Sequence, residues 1–189
     1  MAAKRSRTKN HFLALFDYFS VSPSLTQIYF QSEAAAVVFR TGKVYMVPLE
    51  VTHTALATTQ IMQRIMTECD NSPFAALICE LLVFFASTYK SHFGFAHPPL
   101  HDPCAVALLI SPQLFEVEHV NVEIETGSHL SPGRTVCDMF KLTGRTINTR
   151  VATKMHVEGF WDMMITAIRQ ANAVSSLNRK QGEALESLL

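Results

Sequence analysis

The segment 98–107, Pro-Pro-Leu-His-Asp-Pro-Cys-Ala-Val-Ala, constrains the fold more than any other part of this sequence. Asp102 followed by Pro103 is typical of a helix start, with Asp as the N-cap and Pro at the first helical position. Prolines on both sides restrict the backbone, so we expect His101 and Asp102 to lie on a stiff loop. An imidazole and a carboxylate at the entrance of an apolar helix are therefore the first candidate for a functional site.

Composition limits the kinds of partner. The 189 residues suit one domain with or without an appendage, and 16 basic residues balance 16 acidic ones. A net charge of zero gives no reason to expect binding to nucleic acid or electrostatic docking to a membrane. The longest apolar run, 74–86, contains Glu80 and is shorter than the ~20 residues that cross a bilayer. We therefore predict a buried helix there, with neither nucleic acid nor a membrane as a partner.

The cysteines and the N-terminal residues bear on cellular location. Four cysteines without CxxC spacing predict buried free thiols in a reducing compartment such as the cytoplasm: Cys69, Cys79, Cys104 and Cys137. Four of the first nine residues are basic (Lys4, Arg5, Arg7 and Lys9), and the apolar segment 12–16 after them is too short for a secretory signal. A solvated basic tail is the favoured interpretation, with a mitochondrial or nuclear address as lesser alternatives.

Periodicity predicts an alternation of helices and strands, and hence the α/β class. Helices are predicted at 33–39, 58–67, 72–94 and 103–110, and from Val157 past Ile168. Strands are predicted at 43–49, 115–125, 134–140 and 148–155, with a turn and loop at 50–53. We treat residues 1–30 as a divergent, basic and poorly structured leader, and 175–189 as a polar tail.

His101 and Asp102 can be interpreted in two ways. A carboxylate at a helix N-terminus stays ionised and is a suitable oxygen ligand for Ca²⁺ or Mg²⁺, and the neighbouring imidazole can deliver a proton near neutral pH. Alternatively, Asp102 only caps the helix and His101 packs against Leu100 or the prolines, which spacing alone favours. A weaker alternative is a zinc site, although its spacing matches no common pattern: His92, His97, His101 and Cys104.

Three aromatic residues, Phe85, Tyr89 and Phe93, recur at every fourth position and share one face of the predicted long helix. Aromatic residues at this spacing usually belong to the core. Near a polar rim, Tyr89 could instead place its hydroxyl against a ligand and its ring against a planar base. The acidic residues at 118–125 alternate with apolar ones, so we expect them to form a solvated face.

Five stretches occur in the order found in one enzyme family. From residue 33 to residue 169 the chain resembles the inosine–uridine preferring nucleoside hydrolases, calcium-dependent enzymes that cleave the N-glycosidic bond of ribonucleosides. The matching stretches are Glu33-Ala34-Ala35-Ala36-Val37-Val38-Phe39, Val47-Pro48-Leu49-Glu50-Val51-Thr52-His53, Pro99-Leu100-His101-Asp102-Pro103-Cys104-Ala105-Val106-Ala107, Gly133-Arg134-Thr135-Val136 with Asp138, and Phe160-Trp161-Asp162. The resemblance implies a partial nucleoside-hydrolase (Rossmann-like) fold over 31–174, the C-terminal half with a few strands flanked by helices.

The resemblance also implies roles for individual residues. His101 matches the residue that protonates the leaving nucleobase, and Asp102 matches a calcium ligand. Tyr89 matches a position that closes over the bound nucleoside, and Phe85 lies one turn earlier at a related position. Cleavage of a ribosyl bond passes through an oxocarbenium-like transition state, which needs an activated water and an activated leaving group. The implied substrate is a purine or pyrimidine ribonucleoside, and the implied products are the base and ribose.

The chain also departs from the family. Family members carry the cluster DxDxxxDD, which supplies most calcium ligands and the base that activates water; this sequence lacks it, and Asp17 is its only acid before Glu33. Calcium takes six to eight oxygens, so one carboxylate is not enough. We expect a truncated member that is weak or inactive alone, assembling as a homo-oligomer or with a full-length relative. The alternative is a catalytically dead binding or regulatory remnant of such an enzyme.

Overall fold

The computed structural model describes residues 12–16 and 32–179, and these divide into two compact units. The first unit includes the described residues up to Thr52 together with 101–155. The second unit includes residues 53–100 and the described residues from His156 onward. Both units combine segments that are distant in sequence, so each unit depends on long-range packing rather than on local structure.

The first unit contains a four-stranded sheet. Its strands are β1 (Phe12–Phe16), β2 (Val44–Pro48), β3 (Phe115–Val120) and β6 (Thr149–Met155), in the order β1-β2-β6-β3. β1, β2 and β6 run parallel, and β3 pairs antiparallel with β6. The predicted strands at 43–49 and 148–155 are confirmed. β1 lies inside the segment that the sequence analysis treats as a poorly structured leader, and the other residues of that segment lie outside the described residues.

Helix α1 (Ser32–Arg40) covers the core of the first unit, as the segment 33–39 predicts. Its buried residues are Ser32, Ala35 and Phe39, which share one helix face. Phe39 is 1% exposed and packs in a cluster with apolar residues of β2, β6 and the segment 120–124. Gly42 follows the helix with a φ of 68°, so the helix ends in a left-handed turn that glycine adopts at little cost.

The predicted strand at 115–125 is divided at Asn121. β4 (Val122–Ile124) leaves the main sheet and pairs antiparallel with β5 (Thr135–Cys137), which lies within the predicted strand 134–140. The Asn148 side chain accepts from the Val122 N–H and donates to the Val122 carbonyl, both at 2.8 Å, while Asn121 donates to the Thr146 carbonyl at 2.9 Å. Amide side chains therefore take the place of ladder hydrogen bonds where the chain changes sheets.

The second unit is helical, with α3 (Thr59–Glu68), α4 (Pro73–Phe93) and α6 (Val157–Val174). These helices confirm the ones predicted at 58–67, at 72–94 and from Val157 past Ile168. Ser72 caps α4 by accepting from the Ala75 N–H at 3.1 Å, and Gly94 ends it with a φ of 72°. Ile65 of α3 and Ile165 of α6 are fully buried together, and Arg64 of α3 forms an ion pair at 2.7 Å with Asp162 of α6.

Helix α4 is not the buried helix that the sequence predicts. Ala75 is its one buried residue, whereas Leu81 is 47% exposed, Phe84 65% and Phe85 51%. The helix has 21 residues because it continues past the apolar run to Phe93, and by length and composition alone it could cross a bilayer. The prediction that this segment is too short to cross a bilayer is therefore wrong. One such helix is only a weak indication of a membrane span.

Candidate functional site

Helix α5 (Asp102–Ile110) begins one residue earlier than its sequence suggests. His101 is the N-cap residue, its side chain makes no capping hydrogen bond, and its carbonyl accepts from the Cys104 N–H at 3.0 Å. Asp102 is therefore the first helical residue, not the N-cap as predicted, and its side chain is exposed. A carboxylate in the first turn still interacts favourably with the helix dipole. The cap and Pro103 fix the backbone that carries both side chains.

His101 contacts a residue 49 positions earlier in the chain. The segment 50–53 is predicted as a turn and loop. Its first three residues belong instead to a one-turn helix, α2 (Leu49–Thr52), directly after β2. Thr52 at its end is completely buried, and its Oγ1 lies 2.8 Å from Nδ1 of His101. The same hydroxyl donates to the Leu49 carbonyl at 3.4 Å. A side-chain hydrogen bond thus joins two of the five matching stretches, 47–53 and 99–107.

Thr52 is the residue that sequence reasoning missed. It lies within a matching stretch, but a threonine beside a valine in a short segment carries no sign of its partner. The contact also bears on the structural alternative for His101. Its ring is half-buried and forms a hydrogen bond to a buried hydroxyl, which simple packing against Leu100 or the prolines does not supply. The imidazole is thereby held in a defined orientation.

The aromatic candidates belong to the second unit. Tyr89 is half-buried and its ring lies 5.5 Å from Phe93 and 6.3 Å from Phe95, between centroids. Phe95 in turn meets His53 edge to face at 5.0 Å, and burial lowers the pKa of His53. Phe85 is about half exposed and contacts Phe84 instead, at 5.8 Å. A role in substrate binding for Tyr89 and Phe85 stays a prediction.

The described residues do not fit a calcium ion on their own. Across 12–16 and 32–179, no group of three or more His, Cys, Asp or Glu side chains is arranged to hold a metal. Asp102 supplies a single carboxylate where calcium prefers at least six oxygens. The zinc alternative meets the same difficulty. Burial also raises the pKa of the Cys104 thiol to about 12, so it stays protonated, whereas zinc binds the thiolate.

The cysteines within the described residues are free, as the sequence predicts. The predicted burial is correct for Cys69 and Cys104 and wrong for Cys79 and Cys137, which are only partly buried. Burial raises the pKa of all four thiols. A protonated thiol reacts slowly, and even the partly exposed Cys79 and Cys137 pack against the apolar core clusters, so these residues contribute to packing rather than to chemistry.

Asp138 of the fourth matching stretch closes a turn. Its carboxylate accepts from the backbone N–H groups of Leu142 and Thr143, both at 2.9 Å, and from the Thr143 hydroxyl at 2.7 Å. The Thr143 hydroxyl and backbone contribute most to lowering the pKa of Asp138 below its usual value. Three donors to one carboxylate hold the chain where it leaves β5, which is a structural role.

We expect Asp138→Asn to lower the melting temperature at neutral pH. An amide presents an NH₂ group where the carboxylate accepts hydrogen bonds, so one donor of the turn is left facing another donor. Because the pKa of Asp138 is lower folded than unfolded, its stabilisation is complete above the unfolded value and is lost as the pH falls through the folded one. Thermal melts at pH 7 and pH 3 check this. A difference between variant and wild type that is equal at both values would contradict it.

The family model "Inosine-uridine preferring nucleoside hydrolase" matches residues 27–162, which include all five stretches. A "Probable ribonucleoside hydrolase" of Dictyostelium discoideum is 47% identical over 155 residues, covering 79% of this chain and 46% of that protein. An "Inosine-uridine preferring nucleoside hydrolase" of Crithidia fasciculata is 38% identical over 139 residues, covering 73% and 44%. The chain thus spans about half the length of these curated relatives.

Solved structures agree on the fold. A purine-preferring ribonucleoside hydrolase from Gardnerella vaginalis aligns with a TM-score of 0.69 at 23% identity, covering 87% of this chain and 52% of that one. A plant nucleoside hydrolase aligns with a TM-score of 0.62 at 17% identity, covering 90% and 52%. The predicted α/β, partial nucleoside-hydrolase fold is confirmed. With a family match over residues 27–162, this chain is a member of the inosine-uridine preferring nucleoside hydrolase family.

Proposed function

We propose that this chain supplies the leaving-group side of a ribonucleoside hydrolase, in which His101 protonates the base as the N-glycosidic bond breaks. The observation that carries the proposal is the hydrogen bond between Thr52 and His101, which joins two stretches shared with the family. An imidazole held by a buried partner at a helix entrance is suited to general acid catalysis. The proposed substrates are purine or pyrimidine ribonucleosides.

The proposed reaction consumes one water and one ribonucleoside. As the bond between the ribose C1′ and the base nitrogen breaks, its electron pair goes to the base, which takes a proton from His101. Water adds to the oxocarbenium-like ribosyl group and loses a proton, which gives ribose. Protonation of the base makes it a neutral leaving group, and this is the part of the chemistry that the described residues can perform.

Activation of the water requires groups that this sequence does not contain. The sequence has no DxDxxxDD cluster, and among the described residues Asp102 belongs to no group of three or more His, Cys, Asp or Glu side chains that could hold a metal. We therefore include calcium in the proposal only for an assembly in which an aspartate-bearing segment joins this chain. In that assembly Asp102 would be one ligand among several, and the chain alone would be weak or inactive.

The free cysteines, the net charge and the charged residues of α4 support the proposed location and partners. Free cysteines are typical of a reducing compartment, so we place the proposed activity in the cytoplasm. Zero net charge gives no basis for binding nucleic acid. Glu80 and Lys90 both lie within α4, and a charge inside a bilayer is costly, so the proposal includes no membrane partner. The partner proposed here is a second protein chain, either another copy or a full-length relative.

A fusion protein tests the proposed function. Residues 32–179 of this chain would replace the matching portion of the Dictyostelium relative, which retains the part of that protein outside the match. We expect the fusion protein to release ribose from inosine or uridine when Ca²⁺ is present, and this chain alone to release none above a His101→Ala background. A folded fusion protein that leaves both nucleosides intact would contradict the proposal.

The second candidate function is that of a non-catalytic partner for a full-length relative. The lack of a metal-binding group among the described residues favours it. This chain and the Dictyostelium relative would be co-expressed and separated by size-exclusion chromatography. A shared peak, with turnover by the relative unchanged when His101→Ala replaces wild type, would support the second candidate. Separate elution would exclude it.

A further inference from the structure

We propose that the exposed side of α4 binds a second copy of this chain, with the two α4 helices antiparallel about a two-fold axis beside Phe85. The inference rests on the proposed function only in taking a second protein chain as the partner. It goes beyond that function by naming the surface and the geometry of the assembly. All the residues of α4 that carry it belong to the second unit.

The two sides of α4 differ in their surroundings. Three of its side chains, spaced by four and three residues, lie in or against the core cluster of the second unit: Ala75, Cys79 and Leu82. On the opposite side, Leu77, Leu81 and Phe84 have the same spacing and are 41%, 47% and 65% exposed. We call these last three residues the α4 stripe. Contiguous exposed apolar side chains of this size are typical of a surface that another molecule covers.

Two charged side chains of α4 favour a protein over a lipid as that molecule. Glu80 and Lys90 are both exposed, and both lie on one side of the α4 stripe. A bilayer would have to take up a carboxylate and an ammonium group, which is costly inside hydrocarbon. A protein surface can instead offer each of them an opposite charge. The partner therefore needs an apolar stripe of its own with one acidic and one basic side chain beside it.

A second α4 meets that requirement when the two helices run antiparallel. Glu80 and Lys90 are ten residues apart, which is ~15 Å along a helix, and the position midway between them is Phe85. With the two-fold axis at that position, Glu80 of each copy faces Lys90 of the other. Lys90 lies farther from the α4 stripe, and its flexible four-carbon stem covers the difference. A parallel pair would instead bring each charge beside its own copy.

The apolar side chains fit the same axis. Phe84 is the most exposed of the large apolar residues of α4 and lies one residue from the axis, so the Phe84 rings of the two copies meet there. Leu81 of one copy then faces Thr88 of the other, which presents a methyl group beside its hydroxyl. A two-fold interface uses the same patch on both subunits, so that patch must be complementary to itself. The α4 stripe and its two charges satisfy this condition.

The oligomeric state of the whole chain tests the inference. Sedimentation velocity over a roughly 100-fold range of concentration should show a dimer that dissociates on dilution. Phe84→Glu should weaken the dimer by ~100-fold or more, because it places two carboxylates together at the axis. Leu130→Glu is the matched control and should leave the dimer unchanged, since that side chain is 97% exposed and belongs to the first unit. A monomer at every concentration, or an unchanged dimer in Phe84→Glu, would overturn the inference.

Charge reversal tests the antiparallel geometry. At low ionic strength, Glu80→Lys and Lys90→Glu should each weaken the dimer roughly 10-fold, because each brings like charges together at two symmetric contacts. The double variant Glu80→Lys/Lys90→Glu restores the opposite charges and should bind within roughly threefold of wild type. Both side chains are exposed, so melting temperatures should show that all three variants fold. A double variant that binds no better than the single ones would overturn the antiparallel arrangement.

Sedimentation with vesicles distinguishes lipid from a second copy as the occupant. The wild-type chain should stay in solution when phosphatidylcholine vesicles are pelleted. A chain that remains monomeric and pellets with the vesicles would overturn the inference in favour of lipid. None of these measurements needs turnover, so an inactive fusion protein would count against the proposed function and leave the dimer unaffected.

Discussion

His101→Ala should slow ribose release from inosine by the fusion protein roughly 10²–10⁴-fold, the range that a general acid contributes. The alanine removes the only part of the proposed machinery that protonates the base. Since a nucleobase anion is a poor leaving group, the loss should fall on kcat rather than on KM. Steady-state assays of released ribose with inosine, at saturating and limiting concentrations, separate the two constants.

The control for this prediction is a riboside whose leaving group departs without being protonated. In a nitrophenyl riboside the leaving group is bonded to the ribose C1′ through oxygen and departs as a stable nitrophenolate anion, so its cleavage should be nearly the same in His101→Ala and in wild type. If both substrates slow equally, His101 acts on something other than the leaving group. If neither slows, His101 has no part in the reaction, and the proposed function loses its supporting observation.

Phe160→Ala should destabilise the second unit by about 3–5 kcal/mol, the usual cost of truncating a buried phenylalanine. Phe160 is fully buried at the start of α6, and its ring meets Trp161 edge to face at 5.4 Å. The truncation leaves a cavity and removes this aromatic contact. The expected fall in melting temperature is on the order of 10 °C for a chain of this size.

Val174→Ala on the same helix is the matched control, because that side chain is 79% exposed. An exposed substitution of this kind changes stability by less than about 0.5 kcal/mol. Circular dichroism melts of the two variants and wild type provide the comparison. Equal melting temperatures for Phe160→Ala and Val174→Ala would mean that the stretch 160–162 does not support a packed core.

Local signals in the sequence identify the elements but not their surroundings. Ser72 with Pro73 begins α4 and Gly94 ends it, because capping and left-handed glycine act within one turn. The same sequence does not indicate that Phe84 is exposed, since an apolar side chain is buried only if another element covers it. The strand 115–125 alternates throughout, yet it divides where Asn148 binds the Val122 backbone. That contact joins positions 26 residues apart.

For the candidate site too, the sequence identifies some of the residues but not the contacts that the fold creates between them. His101 and Asp102 were identified from their place beside prolines, and the family assignment that they helped to support is confirmed. The predicted N-cap, Asp102, lies one position after the observed one, His101, because φ and ψ at a helix start depend on the conformation of the preceding loop. Thr52 could not be found from spacing, because its partner lies 49 positions away and only the fold brings the two together.

We propose that this chain holds the proton donor of a ribonucleoside hydrolase but too few ligands for calcium, and calcium binding by the chain alone is the most direct test of the second part. Isothermal titration of Ca²⁺ into the isolated chain should show no stoichiometric uptake with a Kd below ~1 mM, the weak end of protein calcium sites. The fusion protein, titrated in parallel, should bind one equivalent. Tight binding of one Ca²⁺ by the isolated chain, lost in Asp102→Asn, would contradict the claim.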